Sequence, residues 1–295
     1  MVDLLEPTRL NAYVRGKAHD EQAPGIPQKF CDAMDVREQV FVIEQGVPLE
    51  NEFDADDSRA CHWITYASVN MNIEDEVVDA AGNIVKRRKR GPRSIPIGTL
   101  RLVPFPHEPH PQDGGEYRDG KLVSENGGKV TQPVAKSVLK EDGVVGAAEH
   151  VGEEPRVQPL KPVTPPDRAT DLHNGKEPYV KLGRLAVLKG FRGNRIAMLL
   201  IQTAMKWLKE NPRYFNPSIR EEGLENLGAK MPGEVPKWGG LVCVHAQKSV
   251  VELWKKFGFQ VDEGMGTWWE EGIEHRGMFL RLDVSSYPGL IKSVQ

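Results

Sequence analysis

Several stretches of this chain carry a clear apolar period. From about Gln28 to Glu44, Phe30, Ala33, Arg37, Val40, Phe41 and Glu44 recur at helical spacing, which predicts a helix with one buried stripe. Two members of that stripe are charged. Arg37 and Glu44 stand two turns apart, about 10 Å along the axis, and charges on an apolar face require partners or a wet pocket. The run Tyr179 to Leu188 reads as a strand and leads through Lys189-Gly190-Phe191-Arg192-Gly193-Asn194-Arg195 into a helix-periodic stretch ending near Lys209. Gly240 to His245 reads as a further strand, followed by a helix with Gln247, Val250, Val251, Trp254 and Gly258 on one stripe. Phe259–Val261 and Thr267–Leu282 supply the last strands. Nearer the start, Arg9–Arg15, His62–Ala67 and Ile95–Val103 have strand character.

Between these stretches the period fails. Residues 104–178 hold half of the 22 prolines and little periodic apolar signal, so this segment is expected to be an insertion of loop or disorder. A second insertion covers about 211–238. Without the two, one α/β domain spans 1–295, a central mixed sheet flanked by helices.

Composition narrows the classes. A formal net charge of -3 over 295 residues gives no case for nucleic-acid binding. The three cysteines, Cys31, Cys61 and Cys243, are odd in number and widely spaced, which suits a reducing compartment and suggests neither a disulfide framework nor a metal site. No apolar run approaches the about 18 residues of a membrane span, and the N-terminus lacks a signal-peptide pattern. The expected location is the cytoplasm. The basic run Lys86–Arg90 leaves the nucleus open, although a solvated hairpin tip is the simpler reading.

The segment from Tyr179 carries the most chemistry. A strand, a short basic glycine-containing turn and a helix together aim free backbone N–H groups and the positive end of a helix dipole at an anion on the turn. Gly183-Arg184-Leu185-Ala186-Val187 followed by Arg192-Gly193-Asn194-Arg195-Ile196-Ala197 resembles the acetyl-CoA signature of the GNAT superfamily of N-acetyltransferases, with Arg195 in place of its middle glycine. Trp254 to Phe259 resembles that family's second signature, a helix closing on Gly-Phe. Arg37-x-x-Val40-Phe41-Val42-Ile43-Glu44-Gln45, the acidic loop Glu50–Asp57, His62, His245-Ala246-Gln247 and Glu271–Met278 are similar to the ElaA-like branch.

The resemblance implies a GNAT fold and acetyl-CoA as co-substrate, with no metal. It implies that Leu185, Ala186 and Val187 pair with the pantetheine arm, and that Arg192, Gly193, Asn194, Arg195, Ile196 and Ala197 hold the pyrophosphate. Gln247 stands where the family often has an asparagine touching pantetheine. The acceptor would be a small-molecule or peptide amine, with oligomeric state open. The family's frequent acid, a tyrosine four residues before the Gly of Gly-Phe, is replaced by Trp254. Glu44, His62, Cys243, His245 and His275 remain as candidates.

His245 ends the fifth strand, and a histidine there suits proton transfer near neutrality or a structural hydrogen bond. Glu44 could hold or deprotonate the amine, or pair with an arginine. His62, His275 and Trp268 are candidate acceptor-pocket residues, Cys243 is more simply a small buried side chain, and only one of Trp268 and Trp269 can face the pocket. Glu52, Asp54 and Asp57 either draw in a cationic amine or form a solvated capping loop. Arg37, Val40, Phe41, Glu52, Asp54, Asp57, Arg101, Leu102 and Pro104 can also be traced through the pattern of acyl-homoserine-lactone synthases. A CoA-binding module without catalysis is the third reading.

Overall fold

The two longest helices find the sheet through their apolar stripes. In the long helix Ile196–Glu210 the buried residues are Leu200, Ile201, Ala204 and Leu208, a spacing that keeps them on one face. They pack on Trp63, Leu100, Leu102, Leu182, Val242 and Val244, which alternate along four strands to form the main core. On the opposite face, Phe30, Cys31 and Met34 of the first helix cluster with Leu10 and Ile26, and Val36 and Val40 pack on Ala186.

The structure is a computed structural model and describes residues 1–75, 77–80, 84–124, 167–224, 227 and 229–285. Its strands are β1 (Val2–Leu5), β2 (Cys61–Glu74), β3 (Val77–Val78), β4 (Ile84–Lys86), β5 (Lys89–Val103), β6 (Glu116–Arg118), β7 (Lys121–Ser124), β8 (Val180–Val187), β9 (Leu241–Gln247), β10 (Gln260–Val261), β11 (Thr267–Glu270) and β12 (Ile273–Arg281). The helices are α1 (Gln28–Arg37), α2 (Ile196–Glu210), α3 (Ile219–Glu222) and α4 (Val251–Lys255). Ten strands form one mixed sheet in the order β1-β2-β5-β8-β9-β12-β11-β6-β7, with β10 also on β12. β8 and β9 are parallel, so the chain between them must cross over, and α2 makes that crossover. The mixed α/β sheet agrees with the expected fold class.

Several local expectations change. Arg9–Arg15 is not a strand; the first strand is Val2–Leu5, paired with β2. Leu10 is buried in the α1 cluster while Val14 is exposed, and the Tyr13 N–H donates to the Leu10 carbonyl in a turn. The apolar residues of this segment therefore plug the helix instead of lining a sheet. The α1 helix continues through Glu44, but as a π-helical turn over Glu38–Glu44. Its wider i→i+5 spacing breaks the 3.6-residue period, which keeps Arg37 and Val40 buried and leaves Glu44 at the surface. The basic run lies on an exposed hairpin, where Lys89 faces Glu74 at 4.0 Å and Arg90 Nε donates to Asn72 Oδ1 at 3.1 Å. Within the long insertion, β6 and β7 join the sheet through β11. The expectation of disorder for 125–166 lies outside the described residues. In the second insertion, Leu227, Ala229 and Val235 form a small cluster with Ile219 and Leu224.

Candidate functional site

The central feature is a place where two parallel strands part. β8 and β9 pair at Val180–Val242, Lys181–Cys243 and Leu182–Val244, and there the pairing stops. Arg184 is the cause: its φ of 49° is in the left-handed region, and the register of β8 against β5 shifts between Thr99 and Arg101. Such a bulge bends the strand, carrying Gly183–Val187 away from β9 and leaving one edge without a strand partner. His245 is the first β9 residue beyond the last pair.

Around His245 stand three residues from the last hairpin. Its Nδ1 is 3.4 Å from Glu270 Oε1, which also accepts the Trp268 Nε1–H at 2.7 Å. The Trp268 ring meets His245 edge-on with centroids 4.9 Å apart and stacks over His275 at 6.2 Å. His275 Nδ1 donates to the Ile273 carbonyl at 2.8 Å. A carboxylate can only accept, so Glu270 fixes the His245 proton on Nδ1. Nε2 then carries a lone pair, and it has no hydrogen-bond partner. Burial lowers the His245 pKa, although Glu270 pulls the other way. Burial alone would raise Glu270, but the hydrogen bond from His245 and the nearness of His275 hold its carboxyl well below the usual range. The imidazole is therefore neutral near pH 7, with one buried nitrogen left unpaired. The structure brings together His245, Trp268 and His275, and adds Glu270, which sequence reasoning missed. The available signal was its i+2 position from Trp268, which places both on one face of β11.

The turn expected to receive an anion lies at the outer end of β8. Gly193 and Arg195 both have positive φ, 82° and 60°; the left-handed conformation at Arg195 is the one glycine adopts without penalty, and costs an arginine about 1 kcal/mol. Backbone N–H groups of residues 193–198 find no acceptor among the described residues and surround the start of α2. Two contacts tie this mouth to the end of the π turn. Arg192 Nε donates to the Val187 carbonyl at 2.9 Å while its Nη2 pairs with Glu44 Oε2 at 2.7 Å. Gln247 and Gln45 exchange amide hydrogen bonds at 2.9 and 3.2 Å. Glu44 thus has the arginine partner that one reading required, and it sits at the mouth, apart from the His245 group.

The remaining candidates belong to the framework. Arg37, fully buried, donates from Nε to Glu52 at 2.6 Å and from Nη1 to Asp57 at 2.7 Å. Arg101 donates from Nη1 to Asp54 and to Asp57, each at 2.7 Å, and Arg184 reaches Asp54 and Glu52 at 3.2 Å. In the acidic loop, the carboxylates of Glu52, Asp54 and Asp57 neutralise three arginines, and those of Asp54 and Asp57 also accept backbone N–H groups of the same loop. Cys243 is buried and burial raises its pKa, as for an inert thiol. Trp254 is core, edge-on to Phe259 at 5.1 Å.

His62 is not with His245. It lies on β2, against Phe30 at 5.4 Å, with Nε2 on the Asp57 carbonyl at 3.0 Å. Burial pushes its pKa down to about 4, below the about 6.5 of an unfolded chain. The unfolded state then binds more protons between these values, so stability is full above about pH 6.5 and falls towards pH 4, by about 3 kcal/mol from this residue. Urea midpoints measured across that window should slope less steeply in His62→Gln than in the parent.

Among the described residues one group combines metal-ligating atoms: His110, Asp167 and His173. No helix among them is long and apolar enough to cross a membrane.

No protein-family model matches this chain, and no curated protein matches it. Its structure is similar to that of a Lactobacillus plantarum protein assigned as an N-acetyltransferase, at TM-score 0.40 and 15% identity over 87% of this chain and 93% of that one. It is also similar to Escherichia coli ElaA, at TM-score 0.37 and 14% identity over 95% and 99%. A third likeness is to an acyl-CoA N-acyltransferase from Pseudomonas aeruginosa, at TM-score 0.39 and 13% identity, covering 95% of this chain and 99% of that one.

Proposed function

We propose that this protein transfers an acetyl group from acetyl-CoA to an amine by direct attack in the gap between β8 and β9. The observation that carries the reading is the position of His245 at the fork, beside the free edge of Gly183–Val187. The pantetheine arm would add to that edge as a short strand through Leu185, Ala186 and Val187. The pyrophosphate would rest on the turn from Arg192 to Ala197 with Asn194 and Ile196 in its wall, where N–H groups and the α2 dipole converge. Arg192 would exchange Glu44 for a phosphate oxygen, which frees the Glu44 carboxylate at the mouth. Gln247 would likewise turn from Gln45 to the arm.

His245 is the base in this scheme. The amine nitrogen attacks the thioester carbonyl, its proton passes to His245 Nε2, and an N–H of the free β8 edge takes the developing oxyanion. Collapse breaks the C–S bond, and the thiolate recovers the proton from the imidazolium or from water. Trp268 and His275 form the wall on the acceptor side. The internal engagement of Arg37, Glu52, Asp54, Asp57 and Arg101 does not favour the acyl-homoserine-lactone synthase reading.

Thiol release from acetyl-CoA with a panel of small amines, polyamines, amino sugars and peptide N-termini tests the activity. Turnover that saturates in both substrates is expected; tight CoA binding with no turnover on any class would leave a binding module. Changing Arg192 and Arg195 together to Ala should raise KM for acetyl-CoA by about 10-fold or more, the loss of charge-assisted phosphate contacts, with an unchanged circular dichroism spectrum. An unaltered KM and CoA affinity would remove the turn from the donor site.

A further inference from the structure

The long insertion is closed by a cluster that the proposed reaction does not use. His110 comes from the loop after β5; Asp167 and His173 come from the loop before β8. His110 Nε2 lies 2.8 Å from His173 Nδ1 and 3.4 Å from Asp167 Oδ2, and all three atoms fall within 4.8 Å of one another. We propose that His110, Asp167 and His173 bind one divalent transition ion of the zinc class, with a fourth position left for solvent.

Three features carry the assignment. The first is convergence. Ligand atoms about 2.0–2.1 Å from zinc at tetrahedral angles stand about 3.3 Å apart, close to the two separations observed. The second is the outer arrangement of two of the ligands, His173 and Asp167. His173 Nε2 meets the Glu177 carbonyl at 2.8 Å; a carbonyl only accepts, so the proton is on Nε2 and the lone pair of Nδ1 faces the cluster. Asp167 Oδ1 takes the backbone N–H groups of His110 and Arg168 at 2.7 and 2.6 Å, which leaves Oδ2 turned inward. Metal-bound histidines and carboxylates are oriented by partners of this kind. The third is the count of protons. Without a metal, Nδ1 of His173 and Oδ2 of Asp167 only accept, so the cluster has one proton, on His110 Nε2, to share between two acceptors; with that proton on His110 Nδ1 instead, all three facing atoms hold a lone pair. A cation satisfies all three at once.

The surroundings suit a permanent ion. Tyr179 stacks on His110 at 5.4 Å and Phe279 meets it edge-on at 5.7 Å. Both histidines are buried. Two imidazoles and one carboxylate favour zinc or cobalt over magnesium or calcium. The ion would pin both ends of the insertion to the start of β8, on the sheet face that also carries His245.

Tag-free protein dialysed against a chelator and titrated with Zn2+ by calorimetry, and with Co2+ by visible absorption, tests the site without reference to activity. One ion per chain is expected, with intense d–d bands of low-symmetry four-coordinate cobalt and a rise in thermal midpoint on metal addition. His173→Ala and Asp167→Asn should each weaken binding by at least about 100-fold, while a change at His107, a neighbouring histidine whose Nε2 lies 2.9 Å from the Tyr179 carbonyl and which is outside the cluster, should keep it in His107→Gln. Should the ligand variants not fold, the wild-type cobalt spectrum decides. Absence of stoichiometric binding to the folded chain, or equal binding by His173→Ala, would overturn the assignment.

Discussion

Arg37→Ala is expected to lower the unfolding free energy by about 3–5 kcal/mol, the cost of leaving buried charges without their partner. Arg37 has no exposed surface, and it alone contacts both Glu52 and Asp57. Removing it takes one of two arginine partners from each of these buried carboxylates, leaving Asp57 to Arg101 and Glu52 to Arg184. Arg37→Lys should recover only part of the loss, since an ammonium cannot reproduce that fork. A double variant with Asp57→Ala should be less destabilised than the sum of the singles. The same network sets an acid limit. Burial would raise Asp57, but Arg37 and Arg101 hold it well below the usual carboxylate range, and Asp54 is held to about 2, against its burial, mainly by Arg101. Folded values below unfolded ones give stability that is complete above about pH 4 and lost as pH falls towards 2. Denaturant unfolding at pH 7 and at acid pH checks both statements. An Arg37→Ala protein within about 1 kcal/mol of the parent would show that the network is not structural.

This network shows where sequence reading stops. Arg37 was legible as a charge on an apolar stripe that needs a partner, and the acidic loop was legible as a cluster. Joining them requires the loop to fold back beneath α1, which no local pattern encodes. The strand, turn and helix from Val180 to Glu210 were legible because they are contiguous and each keeps its own period. The bulge that opens the gap was not: it depends on Arg184 at positive φ, and arginine carries no turn signal. A 3.6-residue period puts Glu44 on the buried stripe, but the turn it belongs to is π-helical and carries it to the surface. Glu270 and the His110 cluster escaped for a common reason. Their partners are distant in sequence, His245 for one and a segment beyond a long insertion for the other, so only the register of β9, β11 and β12 and the closing of the insertion bring them together.

His245→Ala is expected to reduce acetyl transfer by about 10²–10⁴-fold, the usual contribution of a positioned general base, with the affinity for CoA retained. The acid limb of the pH profile gives the more specific readout. A base of lowered pKa stays unprotonated to below about pH 6.5, so kcat/KM in the parent should fall only on the acid side of that value, and this limb should vanish in His245→Ala. Glu270 acts through His245 and not on the substrate, so Glu270→Gln has a different signature. An amide can present its N–H to Nδ1, which moves the imidazole proton to Nε2 and blocks the lone pair. The expected result is a loss of about 10²-fold or more in kcat with little change in either KM, by the logic of the oriented base in a catalytic triad. Added imidazole should restore part of the rate to His245→Ala, where a cavity opens at the fork, and none to Glu270→Gln, where the ring is still present. A His245→Ala enzyme of full rate with its acid limb intact would take the histidine out of the mechanism, and with it Glu270.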